Sequence, residues 1–184
     1  MPSHSKIKTG LANFRSISQQ EIIYVAELIN RVYMISEHDF WSQTGEYSRT
    51  TLEAITEFIK KEELLIARMN NEIVGAVHVY RITDTRCGFG MLVSLPEKRR
   101  SGIGAALIAA VETWAFENKY SQIQLELLVP ESYKHPDKEF LKKWYTRLGY
   151  QLKSATPYAD LYPKQAHLLK MQCFFEIYQK NLQK

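Results

Sequence analysis

At 184 residues, with 45% hydrophobic and 24% charged content, the chain suits one globular domain with a proper core. Its net charge of +4 tolerates an anionic ligand but lacks the strong basic stripe of a nucleic-acid binder, so nucleic acid is not an expected partner. Two cysteines, Cys87 and Cys173, show neither a CxxC pair nor His/Cys metal spacing. They read as small buried hydrophobes of a reducing cytosol, and no metal is expected. The opening MPSHSKIKTG has no apolar signal core, and no run nears the ~18 apolar residues of a membrane span. No membrane partner is expected, and the expected location is cytoplasmic.

Leu11 to Ile17 alternates weakly and is a candidate first strand. Ser18 followed by Glu21 forms a capping-box pattern. Behind it Ile22, Val25, Leu28, Ile29 and Val32 share one helical face, predicting a helix that ends near Ser36. Glu37 to Ser48 reads as a loop rich in aromatics, with Phe40, Trp41 and Tyr47 around Gly45. These side chains, together with Tyr33, either line a substrate mouth or pack down as a lid on the core. Thr50 and Glu53 suggest a second capped helix, Thr51 to about Lys61.

Three strands follow, Leu64–Arg68, Ile73–Ile82 and Cys87–Leu95. Asn70-Asn71 and Thr83–Arg86 are the turns of an antiparallel meander. After Gly102 the period changes: Ile103, Leu107, Val111 and Trp114 predict a helix to about Asn118. Ile123–Val129 is a largely apolar strand expected to run parallel to Met91–Leu95. Lys138–Leu148 is a helix stopped by Gly149, Tyr150–Ala155 a strand, Leu161–Lys170 mixed or helical, and Met171–Tyr178 a final strand. That last strand is a candidate for pairing between two copies, so a homodimer is a possible assembly.

The chemistry concentrates at Met91–Leu107. A short apolar strand meets Pro96, then Lys98, Arg99 and Arg100, then Gly102 and Gly104 at a helix start. Open N–H groups and the positive end of the helix dipole suit a phosphate or pyrophosphate. A basic surface turn is often only a solvated face, but here the charges precede a glycine-rich helix start.

The element order and two motifs resemble the GNAT family of N-acetyltransferases. The family's cofactor signature, Arg/Gln-x-x-Gly-x-Gly/Ala, stands as Arg99-Arg100-Ser101-Gly102-Ile103-Gly104. A second, aromatic-Tyr-x-x-Leu-Gly-aromatic, stands as Trp144-Tyr145-Thr146-Arg147-Leu148-Gly149-Tyr150. The resemblance covers Leu64 to Tyr150 well and the ends loosely. It implies an α/β (α+β) GNAT fold, a mixed sheet of about six or seven strands with about four helices, over one domain, residues 1–184.

The resemblance also implies a reaction: acetyl transfer from acetyl-CoA to a primary amine by direct attack on the thioester, with no metal. The pyrophosphate would be held by Arg99, Arg100, Ser101, Gly102, Ile103, Gly104 and Ala105. The backbone of Leu92, Val93 and Ser94 would hold the pantetheine arm and polarise the acetyl carbonyl, a contact worth ~3 kcal/mol in acyl transfer. Ser94 stands where the family often has an aliphatic residue. Tyr145 would protonate the departing thiolate; a free phenol is about 1.5 units too weak an acid for that, an uphill step of ~2 kcal/mol. It also shares a helix face with Leu141 and Leu148, so a core aromatic is the other reading.

An alkyl ammonium of pKa ~10.4 loses roughly 4.6 kcal/mol on reaching its neutral form at pH ~7, so a base helps. Glu126 interrupts an apolar strand and is the candidate, unless it pairs with a nearby cation. Family members differ in where the base sits, so that role does not transfer. His135 is a second titratable group near the site, read mainly as a surface-loop histidine. Tyr33, Phe40 and Trp41 are the candidate substrate contacts. Alternatives are acetylation of protein or peptide amines, a non-catalytic acyl-CoA sensor, and a dinucleotide-binding domain. The last is disfavoured because GxG follows a meander and no acidic ribose partner is evident.

Overall fold

A computed structural model describes residues 6–42 and 47–182. Among these residues seven strands form one mixed sheet, in the order β1-β2-β3-β4-β5-β7-β6. The strands are β1 (Lys8–Leu11), β2 (Leu64–Met69), β3 (Glu72–Arg81), β4 (Arg86–Ser94), β5 (Gln122–Pro130), β6 (Gln151–Pro157) and β7 (Cys173–Asn181). The helices are α1 (Gln19–Glu37), α2 (Leu52–Lys60), α3 (Ile103–Glu117), α4 (Pro136–Arg147) and the single turn α5 (Tyr158–Leu161). The expectation at Gly45 lies outside the described residues.

The first strand lies earlier than expected. At Asn13 the side chain accepts from the Arg15 N–H and the carbonyl from Ser16, so the chain turns where the strand was predicted to run. The capping box forms as read: the Ser18 hydroxyl accepts from the Glu21 N–H, and the Glu21 carboxylate accepts from the Ser18 N–H. The second cap falls on Thr51, which accepts from Ala54 N–H, and not on Thr50. Thr50 is instead clamped through its backbone to the Asn30 side chain of α1 at 3.0 Å in both directions. Asn70 and Asn71 both adopt positive φ, closing the β2–β3 hairpin.

Alternation divides the apolar residues of β2 and β3 between two cores, and a third cluster, with Phe40, Trp41, Leu128 and Phe175, lies at the β5–β7 end. Leu65, Ala67, Val77 and Val79 meet α3 and α4 on one face, through Ile103, Leu107, Val111 and Tyr145. Leu64, Ile66 and Ala76 meet α1 and α2 on the other, through Ile22, Val25, Ile29 and Ile55. Cys87 and Cys173 are free and buried, and burial pushes their thiols up to about 12 and about 11.

Two features differ from the sequence reading. β4 does run parallel to β5, but the pairing covers only Arg86–Phe89 against Gln122–Leu125, not the Met91–Leu95 stretch. Just beyond it, Met91 and Leu92 together oppose Val77 of β3, a bulge, and Met91 takes a φ of 51°. The bulge turns β4 away, and the two strands part. The last strand is also not an edge: β7 bonds to β5 along its whole length and to β6 on its other side. Its hydrogen-bonding edges are filled within its own chain, so it offers no free edge for adding a strand from a second copy.

Gly75 of β3 allows α3 to lie on the sheet. A Cβ there would stand 2.7 Å from the Val93 carbonyl oxygen and 2.8 Å from Ile103 Cγ2. Gly75→Ala is expected to destabilise the protein by about 1–3 kcal/mol through overpacking. Urea denaturation checks this, and an unchanged midpoint would show that α3 does not depend on that contact.

Candidate active site

Where β4 and β5 part, a cleft of roughly 710 Å³ opens between them. Gly90 to Ser94 form one wall and Leu125 to Leu128 the other. The backbone groups of β4 that would have bonded to β5 face this gap, because the pairing has already ended at Phe89. Leu92, Val93 and Ser94 therefore present main chain to the cleft, while the Val93 side chain is buried in the α1/α2 core.

One end of the cleft is the basic turn. A short 3₁₀ turn, Pro96–Lys98, leads into Arg99 and Arg100, and Arg100 and Gly102 take φ values of 65° and 85°. Gly102 is the N-cap of α3 and carries no side chain to satisfy the helix amides. The first N–H to find an acceptor inside the helix is that of Ala106, which donates to Gly102. The amides of Arg100, Gly102, Ile103, Gly104 and Ala105 have no backbone acceptor among the described residues, whereas Ser101 donates to Lys98 at 3.3 Å. The expected row of donors thus lacks Ser101. At Gly104 an added Cβ would come within 3.3 Å of the Trp144 ring of α4, so this glycine also sets how closely the two helices approach.

Tyr145 projects from α4 into the cleft beside Leu141 and Trp144. It is 5% exposed, packed near Phe89 and Tyr150, and burial raises its pKa above the ordinary phenol value. Both readings of this residue describe the same position, since its ring sits in the core and its edge in the cleft. Glu126 lines the cleft from β5, alternating with Leu125 and Leu127, which belong to the α3/α4 core. Among the described residues Glu126 pairs with no cation; its contact is the Tyr162 hydroxyl, which donates at 3.4 Å. Tyr145 and Glu126 thus reach the gap from opposite faces of the sheet.

The predicted substrate contacts divide. Tyr33 of α1 lines the cleft, its hydroxyl beside the Arg49 guanidinium and the Met91 N–H. Phe40 has no exposed surface and packs against His135 and the Lys138 ammonium, so the structure corrects its expected place at the mouth. Trp41 is corrected likewise. It stacks on Tyr47 at 3.7 Å, donates from Nε1 to Glu37 and bridges to Leu169, behind the wall. His135 is half-buried at the start of α4, with Nδ1 enclosed and unpartnered, and does not line the cleft.

Comparison with known proteins now bears on this geometry. A family model described as an acetyltransferase (GNAT) domain matches residues 60–152, from the end of α2 to the start of β6. The chain belongs to the GNAT acetyltransferase family. It is an acyltransferase. The sequences of curated proteins contain no match. Among solved structures, an aminoglycoside 6'-N-acetyltransferase complexed with coenzyme A is similar in fold at a TM-score of 0.72 and 15% identity, over 96% of this chain and 98% of that one. The yncA protein of Salmonella typhimurium, a putative acetyltransferase with acetyl-CoA, matches at 0.68 and 11% identity, over 98% and 96%. A putative phosphinothricin N-acetyltransferase matches at 0.68 and 13%, over 97% and 100%. The chain spans nearly the whole of each.

Two groups of this GNAT cleft escaped the sequence reading. Glu37, at the end of α1, and Lys138, in the first turn of α4, form an ion pair with side chains only 3% and 5% exposed. Arg49 lines the same region, with its guanidinium 4.7 Å from the Tyr33 ring. Lys138 carried one available signal, because it falls on the inward face of α4 with Leu141 and Tyr145. Glu37 and Arg49 carried none, as both stand at element ends beside an irregular loop. Lys138→Ala would leave the Glu37 carboxylate buried without its partner, and an expected loss of about 3–5 kcal/mol follows. The pair Glu37→Gln with Lys138→Met should recover much of that loss in a thermal melt, and failure to recover would mean the charges are not the reason.

Proposed function

We propose that this GNAT enzyme transfers an acetyl group from acetyl-CoA to the primary amine of a small-molecule acceptor, by direct attack on the thioester. What carries the reading is one continuous cleft that begins at unsatisfied helix amides and ends between a phenol and a carboxylate. The residues present fit the donor. The amides of Arg100, Gly102, Ile103, Gly104 and Ala105, with the side chains of Arg99 and Arg100, would hold its pyrophosphate. The exposed main chain of Leu92, Val93 and Ser94 would hold the pantetheine arm and polarise the acetyl carbonyl.

In the transfer the amine nitrogen bonds to the acetyl carbon and the carbon–sulfur bond breaks. Glu126 takes one proton from the ammonium before attack, and Tyr145 gives one to the departing sulfur. Once the carbon–nitrogen bond has formed the nitrogen sheds its second proton, which restores the Tyr145 phenol through solvent, and Glu126 releases its own to water. Their positions on opposite faces of the sheet match a nucleophile that arrives on one side of the carbonyl and a thiolate that leaves on the other. Burial makes Tyr145 a weaker acid than a free phenol. A thiolate released beside it is desolvated as well, so the mismatch between the two does not grow in proportion.

The aminoglycoside and phosphinothricin named for two neighbours are small acceptors, in keeping with a cleft end walled by Tyr33, Glu37 and Arg49. An acyl-CoA sensor without catalysis is less well supported, because the hydroxyl-bearing Tyr145 reaches the gap. The whole chain would act as one catalytic unit on a single sheet. The two free, buried cysteines support a reducing, cytoplasmic setting.

Acetyl-CoA is expected to raise the melting temperature, and Gly104→Glu to abolish the shift. Absence of stabilisation by any acyl-CoA would overturn the function. Tyr145→Phe removes a hydroxyl that holds no hydrogen bond among the described residues, so it should spare acetyl-CoA binding while lowering turnover by about 10²-fold. Unchanged turnover would take Tyr145 out of the chemistry.

A further inference from the structure

Arg49 is a cation in a polar pocket without an anion of its own. Its Nε is shielded from solvent and has no hydrogen-bond partner among the described residues. The groups closest to it are the phenols of Tyr33 and Tyr47, which are neutral because burial holds their pKa values high. The nearby Glu37 carboxylate is already engaged by Lys138 and by the Trp41 indole. Among the described residues Arg49 forms no salt bridge, and a shielded guanidinium left in that condition is costly. Its position is nevertheless held firmly, since the next residue, Thr50, is clamped to Asn30 of α1 by two backbone hydrogen bonds. Arg49 therefore stands fixed in the cleft wall, with an Nε donor that none of the described residues uses.

Glu126 is its counterpart. It is a carboxylate in the same cleft, with no cation beside it among the described residues. Arg49 and Glu126 line the one cleft, and the fields of both reach the phenols of Tyr80 and Tyr162, the second of which donates to Glu126 at 3.4 Å. A ligand that is negative at one end and positive at the other would complete both groups at once.

We propose that the acceptor is an amino acid or a close relative, a primary amine with a carboxylate-type oxyanion beside it. Arg49 receives the oxyanion, and the ammonium faces Glu126. This rests on the acetyltransferase reading above and narrows its substrate. An amine with no anionic group would leave Arg49 uncompensated, and a long cationic acceptor would add to the charge of Arg49 and Lys138.

The test compares L-amino acids, each assayed beside its own C-terminal amide, which keeps the amine and side chain and loses only the carboxylate. The acid is expected to be preferred by at least about tenfold in kcat/KM, the loss associated with one charge-assisted hydrogen bond. Arg49→Gln should raise KM for the acid by a similar factor and leave the Kd for acetyl-CoA unchanged. Calorimetry of the same amino acid with the enzyme free of acetyl-CoA gives a binding readout independent of turnover, and there Arg49→Gln should weaken binding. Equal use of acid and amide, or an Arg49→Gln variant with unaltered KM, would overturn the assignment. So would a failure of every amino acid to be acetylated. Acetylation of neutral amines alone would leave the acetyltransferase reading standing while this one falls. If Arg49→Gln does not fold, the acid and amide comparison on the unmodified enzyme still decides.

Discussion

After Phe89 and Leu125 two parallel strands stop bonding to each other, and almost everything distinctive about this protein follows from that separation. The extra residue at Met91 and Leu92 opposite Val77 gives β4 a local change of direction that its hairpin partner β3 can follow but β5 cannot. A gap in the middle of a sheet would normally strand unsatisfied backbone groups in an apolar interior. Here the gap opens to a cleft, so those groups become available to a ligand. The fold leaves a ladder unfinished, and no side chain at Leu92, Val93 or Ser94 has to be polar for its main chain to suit the thioester of the proposed donor.

The gap also brings the two groups proposed for proton transfer to one opening. A continuous sheet would isolate Tyr145, on the α4 face, from Glu126, on the face of α1 and α2. Parting the strands brings both to the same opening. The surrounding packing keeps the walls rigid: Gly75 lets α3 lie close enough for Ile103 and Leu107 to fill the core under the basic turn, and Gly104 lets α4 approach α3. The end of the cleft proposed for the acyl donor is therefore built from backbone held by tight packing. The other end is built from buried charges, Glu37 with Lys138 and Arg49 beside them.

Much of this was legible in the residues themselves. The capping box at Ser18, the Asn70-Asn71 turn, the meander, the uncapped glycine-rich helix start and the Gly149 stop are local, each written within a few neighbouring positions. Errors were local too. The first strand slipped because Asn13 forms its own turn, and the second cap shifted by one residue because Thr50 and Thr51 offer the same hydroxyl. At the aromatic loop composition left mouth and lid both open, and Phe40 and Trp41 are core, since a cluster of aromatics reads alike whether it faces a ligand or the interior.

By itself the sequence determined the elements, the two faces of the sheet, the phosphate-type turn and the family to which these belong, because hydrophobic period, caps and turns act over short spans. Only the tertiary structure decided that β7 lies between β5 and β6, that β4 leaves β5 at Phe89, and that Glu37 meets Lys138 across 101 residues of chain. Periodicity reports which face a residue takes but not what stands opposite. A charge such as Arg49 therefore looks like any surface arginine until the walls around it are assembled.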